Sequence, residues 1–117
     1  MKDRTTFVLG IDGSTLRLIE QWLDDLPNFA TLMDEGFATE LDSSRPPVTS
    51  PAWRCYATGK DPAGIGVYWW RQFDRDAQQF VSADKIPLSS KCFWEYLGDS
   101  GEEVGIVGVP LNSPPRA

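Results

Sequence analysis

Thr6-Phe7-Val8-Leu9-Gly10-Ile11-Asp12-Gly13 is the stretch on which the fold reading turns. From Thr6 to Ile11 it is almost continuously apolar, the pattern of a strand covered on both faces, as in a parallel sheet. Asp12-Gly13-Ser14 breaks the run with turn and helix-start chemistry. Leu16, Ile19 and Leu23 then recur at i, i+3 and i+7, which predicts a helix over 15–23 lying against that sheet. Pro27 restarts the chain. Phe29, Leu32 and Met33 mark a second helix, and Gly36 ends it as a C-cap. Ala38 to Leu41 reads as a short strand.

Outward from there, Asp42 to Val48 is a loop in which Pro46 and Pro47 forbid regular structure. Thr49-Ser50-Pro51 is a helix-start signal, and it predicts a helix from Pro51 to about Ala57. Thr58-Gly59-Lys60-Asp61-Pro62 closes it. Val67–Gln72 and Gln79–Ala83 read as a hairpin turning through residues 73–77, within an insertion over 68–90. Ser90 to Leu97 reads as a helix whose apolar side is Phe93, Trp94 and Leu97. Val104–Val109 is a second apolar strand, ended by Pro110. Helices alternating with apolar strands indicate an α/β fold with a helix-covered parallel sheet. The last strand runs into Leu111–Ala117 with no helix to return over it. Five Trp, three Tyr and six Phe also exceed what so few elements can bury. The prediction is a truncated fold, the N-terminal part of a larger domain spanning 1–117.

Composition narrows the chemistry. Leu, Ile, Val and Phe make up 28 of 117 residues, above the roughly 20% level below which disorder is expected. The net charge of −6 gives no nucleic-acid-binding surface, because phosphate-backbone binding rests on Lys and Arg. The absence of histidine excludes His-based triads and His-ligated metal sites within these residues. No apolar run is long enough for a secretory signal or a membrane span, so the sequence reads as cytoplasmic. Cys55 and Cys92 read as ordinary thiols, since a reducing compartment disfavours a disulfide.

Two loops can carry chemistry. Asp12 sits at the carboxyl end of the first apolar segment, where open α/β sheets bind ligands. A carboxylate there can hold a cation, or it can cap the following helix or shape the turn. Thr49 and Ser50 place hydroxyls at a helix N-terminus, whose N–H groups and dipole favour an anion such as phosphate. A hydroxyl in that place can equally be a plain N-cap. As a nucleophile it would need activation by a base or a metal.

Together, Ile11-Asp12-Gly13, Leu26-Pro27-Asn28, Glu35-Gly36, Pro47-Val48-Thr49-Ser50-Pro51, Thr58-Gly59-Lys60 and Pro62-Ala63-Gly64-Ile65-Gly66 follow one another in a familiar order. Phe93-Trp94-Glu95-Tyr96-Leu97, Val107-Gly108-Val109-Pro110-Leu111 and Pro114-Pro115 continue it. This order resembles the alkaline phosphatase superfamily, and within it the type I phosphodiesterase/nucleotide pyrophosphatase branch. The resemblance implies a parallel-sheet sandwich with helices on both faces, cut short here. It implies a small phosphoester substrate hydrolysed with two divalent metal ions, commonly zinc, in a full-length protein. Thr49 would be the nucleophile and a metal contact, with Ser50 the alternative nucleophile, and Asp12 a metal ligand. Ser50 and Lys60 read as substrate contacts, Lys60, like Arg45, lying near the proposed phosphate site where it could offset charge. Ala52 stands where many nucleotide pyrophosphatases have asparagine, and Ile65 where the family usually has histidine. Most ligands in the family come from later strands, so the resemblance implies that these residues alone are inactive.

Two other readings compete. Gly10-Ile11-Asp12-Gly13-Ser14-Thr15 resembles the first phosphate loop of an actin-like or sugar-kinase fold, which requires a strand after the turn. A shortened, non-catalytic interaction module would instead pair through the exposed edge of its last strand.

Overall fold

A computed structural model describes residues 5–110, and the chain divides into two compact units, Met1–Asp42 and Ser43–Ala117. In the first unit, Thr15 caps helix α1 (Leu16–Gln21), its hydroxyl accepting the Leu18 N–H at 3.2 Å. The helix stops short of the predicted Leu23. Trp22 leaves helical geometry at φ −119°, and Leu23–Asp25 tighten into a 3₁₀ turn. Helix α2 (Pro27–Glu35) opens on proline, which gives up an N–H that the first turn does not use. Gly36 is its C-cap, but with φ −119° rather than a left-handed conformation. The glycine is required by space: a Cβ would lie 2.6 Å from the Leu32 carbonyl oxygen.

The predicted strands of this unit are not formed. Residues 6–11 and 38–41 carry neither helix nor strand, and no residue of 5–42 is buried. Phe7 is 84% exposed. A parallel strand exists only when hydrogen-bonded to a neighbour and covered on both faces, and this apolar run has neither.

The second unit opens with helix α3 (Thr49–Thr58), closed by Gly59 in the left-handed region at φ +68°. A one-turn helix, α4 (Pro62–Ile65), follows. The Asp61 carboxylate caps it by accepting the Gly64 N–H at 2.7 Å. Strands β1 (Arg71–Asp74) and β2 (Gln79–Ser82) form the predicted hairpin, antiparallel, with Phe73 opposite Phe80. The turn lies later than predicted because the Asp74 carboxylate closes it, accepting the Asp76 and Ala77 N–H groups at 2.9 and 3.0 Å. This keeps Phe73 in the strand, where it meets Phe80 edge to face.

A 3₁₀ turn, Ala83–Lys85, leads towards helix α5 (Phe93–Asp99). That helix starts later than predicted because Cys92 and Glu95 form a reciprocal cap, with the Cys92 N–H donating to Glu95 at 2.6 Å. Trp94 is buried on the expected apolar side, whereas Phe93 and Leu97 stay partly exposed. Ala57, Cys92 and Trp94 form the core, with Leu88, Ile106 and Val109 packed on it.

Residues 104–109 make no strand either. Ile106 and Val109 turn to the core, while Val107 is 94% exposed. The described residues therefore hold a mixed α and β structure whose one sheet is the β1–β2 hairpin. The parallel sandwich and its sheet edge are not present among them. The Leu111–Ala117 tail, including Pro114-Pro115, lies outside the described residues. Among the described residues, no helix is long and apolar enough to cross a membrane.

Candidate functional site

Helix α3 carries the central hydroxyl. Its N-cap is Val48, extended at φ −123° and ψ 139°, and no side chain caps it. Thr49 is therefore the first helical residue, and the helix begins two residues earlier than predicted. Pro51 fits because it still lies in the first turn, where an N–H is dispensable. The plain N-cap role considered for the Thr49 and Ser50 hydroxyls is thereby removed. Thr49 is partly exposed at the positive end of the ten-residue helix.

The 3.6-residue period places Ser50, Arg54 and Ala57 on one face, and all three are buried. Thr49, Trp53 and Tyr56 share the adjacent face. Trp53 meets Tyr56 edge-on at 5.7 Å, and Tyr56 meets Phe93 of α5 at 5.4 Å. Side chains lean towards the helix N-terminus, so Trp53 inclines over the turn that bears Thr49.

Two of the buried residues fasten α3 to its surroundings. The Ser50 hydroxyl donates to the Trp69 carbonyl at 3.3 Å. The Arg54 guanidinium, 2% exposed, donates to the Ala83 carbonyl, and to that of Ile86 at 2.8 Å. Sequence reading did not single out Arg54. Its signal was a cation in register with Ser50 and Ala57 on an otherwise small and apolar face. Beside this contact, the Ser82 hydroxyl holds the Asp84 carboxyl below its usual range, with smaller help from Lys85 and Arg54.

The other site residues are placed as follows. Ser50, predicted as a substrate contact, is fully buried with its hydroxyl engaged. Lys60 follows the C-cap, about 15 Å along the helix axis from Thr49 at ~1.5 Å per residue. The helix thus keeps Thr49 and Ser50 together and does not bring Lys60 to them. Asp12 belongs to the first unit and lies exposed in a turn with Gly13 at φ +70°. Thr15, not Asp12, caps α1, so turn formation and cation binding are the roles left to Asp12.

Metal-ligating capacity follows from the donor set. Among the described residues, no three His, Cys, Asp or Glu side chains group to hold an ion. A closed divalent site takes at least three protein ligands, so the residues present do not make one.

A family model described as type I phosphodiesterase / nucleotide pyrophosphatase matches residues 6–117. No curated protein and no solved structure matches.

Proposed function

The chain belongs to the type I phosphodiesterase/nucleotide pyrophosphatase family, and from that premise we propose that it carries the nucleophile segment of a phosphoester hydrolase, with Thr49 as the attacking residue. The supporting observation is the position of Thr49. It is the first residue of α3, a helix capped by no side chain, so its hydroxyl stands where backbone donors and the dipole favour a phosphoryl group. In the reaction, Thr49 Oγ1 forms the bond to phosphorus as one ester oxygen leaves from the opposite side as the alcohol, taking up the proton that the hydroxyl gives up, and the threonine is left esterified to the phosphoryl group with its remaining substituent until water hydrolyses it. The helix N-terminus opposes the negative charge on the non-bridging oxygens. Asp12 is read, as the resemblance implies, as a carboxylate metal ligand. The family is generally metal-dependent, and two divalent ions, zinc by the resemblance, are proposed to join only when ligands beyond Asp12 and Thr49 are present. With only Asp12 and Thr49 as ligands, two cations cannot each be held by three protein groups, so the 117 residues alone are expected not to turn over.

Two assays test this. The purified chain, given bis(4-nitrophenyl) phosphate and zinc, is expected to release no nitrophenol. Zinc-dependent release would refute the inactivity. In the longest open reading frame containing these residues, Thr49→Ala is expected to abolish turnover and the covalent phosphoryl-ester adduct on the Thr49 peptide seen by mass spectrometry. Undiminished turnover would remove Thr49 from the mechanism.

A further inference from the structure

Asp12-Gly13 is the one place in the sequence where an aspartate or asparagine precedes glycine. In such a pair the side-chain carboxyl carbon and the next amide nitrogen can close a five-membered ring. Closure needs a backbone free to swing at that bond and nothing bulky beside the nitrogen. Both residues are exposed and lie in a turn, with Gly13 at φ +70°. Apart from its chain neighbours, no heavy atom comes within 4 Å of where a Gly13 Cβ would stand. Glycine has no side chain to shield its nitrogen and crosses between backbone regions at low cost.

Other aspartates lack this combination. Asp99 closes helix α5, and the Ser100 N–H that follows it donates to the Tyr96 and Leu97 carbonyls at 3.1 and 3.0 Å. That nitrogen must leave the helix end before it can turn on Asp99. The Ala77 N–H, after Asp76, is given to the Asp74 carboxylate at 3.0 Å. Asp61 precedes Pro62, which has no N–H.

We propose that Asp12-Gly13 is a self-modification site, at which the chain passes through a cyclic imide to an isoaspartyl linkage. The Gly13 nitrogen bonds to Asp12 Cγ and gives up its proton. One carboxyl oxygen leaves as water with that proton and the acid's own. Water then adds back to either carbonyl of the ring. Opening at Cγ restores aspartate. Opening at the α-carbonyl leaves the main chain running through Cγ and frees the α-carboxylate. One water is lost and one regained, with no change of oxidation state. The product is the substrate class of a carboxyl methyltransferase that acts on isoaspartyl residues with S-adenosylmethionine. The step does not draw on the reading of Asp12 as a metal ligand, so failure of either leaves the other standing.

The test ages the intact chain at neutral pH in ¹⁸O-water, followed by tryptic digestion in ordinary water and mass spectrometry. Residues 5–17 form one tryptic peptide in which Asp12 is the sole acidic side chain. This peptide is expected to take up one ¹⁸O and to split into aspartyl and isoaspartyl forms. The isomer should accumulate at Asp12 at least about tenfold faster than at Asp99, whose following nitrogen is hydrogen-bonded. Urea should quicken Asp99 and leave the Asp12 rate within about twofold. Asp12→Glu, at an exposed position, would need a six-membered ring and should remove most of the aged chain's methyl uptake from the methyltransferase. No isotope uptake in the 5–17 peptide, or equal rates at Asp12 and Asp99, overturns the proposal. So does undiminished methyl uptake by Asp12→Glu, or urea quickening Asp12 as much as Asp99.

Discussion

Arg54→Met is the sharpest perturbation of the second unit. A buried cation carries a desolvation penalty, and exchanging a buried ion pair for apolar side chains is often neutral or stabilising. Here the partners are the backbone carbonyls of Ala83 and Ile86, which no substitution can make apolar. Removing the guanidinium strands both acceptors. Hydrogen bonds to a charged group contribute about 1.5–3 kcal/mol each, so the loss is at least ~3 kcal/mol. Stabilities run at roughly 0.05–0.15 kcal/mol per residue, so this is a large share of the total. With a urea dependence of about 1–3 kcal/mol per M, the midpoint should fall by ~1–3 M. Trp94, buried in the core beside Ala57 and Cys92, supplies the fluorescence change. Arg54→Lys should lie between, because an ammonium can still donate but sits on a shorter stem than the Nη2 that makes both bonds. An Arg54→Met midpoint within about 0.3 M of wild type would show that the two hydrogen bonds do not hold the hairpin's exit to α3.

Gly36→Ala should cost ~1–3 kcal/mol in the first unit, since the added methyl would meet the Leu32 carbonyl at 2.6 Å and must displace backbone. Circular dichroism on heating reads it, and an unchanged helix melt would contradict the clash. Cys55 should alkylate slowly at neutral pH, because burial first and the nearby Asp61 carboxylate second raise its pKa and suppress the thiolate. The iodoacetamide rate followed by intact mass should therefore climb only at more alkaline pH than for a free cysteine, and Asp61→Asn should shift that climb back towards neutrality. Equal rates for Cys55 and a free thiol across the titration would refute it.

Legibility followed the range of the interactions. The hairpin could be read because its turn is local: Asp74 needs only residues two and three ahead to close it. The helices could be read for the same reason, with errors of a few residues where a cap decided the boundary, as with Val48 before α3 and Cys92 before α5. The predicted strands at 6–11, 38–41 and 104–109 failed because a strand is a relation between segments. Apolar character shows that a segment can be covered, but not that a neighbour is present to pair with it. Arg54 escaped because its value lies in carbonyls about thirty residues away, a partner that no periodicity announces.

The candidate site divides along the same line. The motif order identified Thr49 with its helix, since a hydroxyl beside proline at a helix start is a local signal. What surrounds Thr49 was not local. Ser50 read as a second hydroxyl for the substrate, yet in the fold it is buried and spends its proton on Trp69. Lys60 read as a substrate contact, but a straight helix converts its separation from Thr49 into length, not proximity. A buried hydroxyl and a buried guanidinium on one face of α3 instead anchor the two ends of an aromatic hairpin. Ser50 and Arg54, one face of the helix that begins at Thr49, thus act as a frame that ties the segments flanking the hairpin to α3.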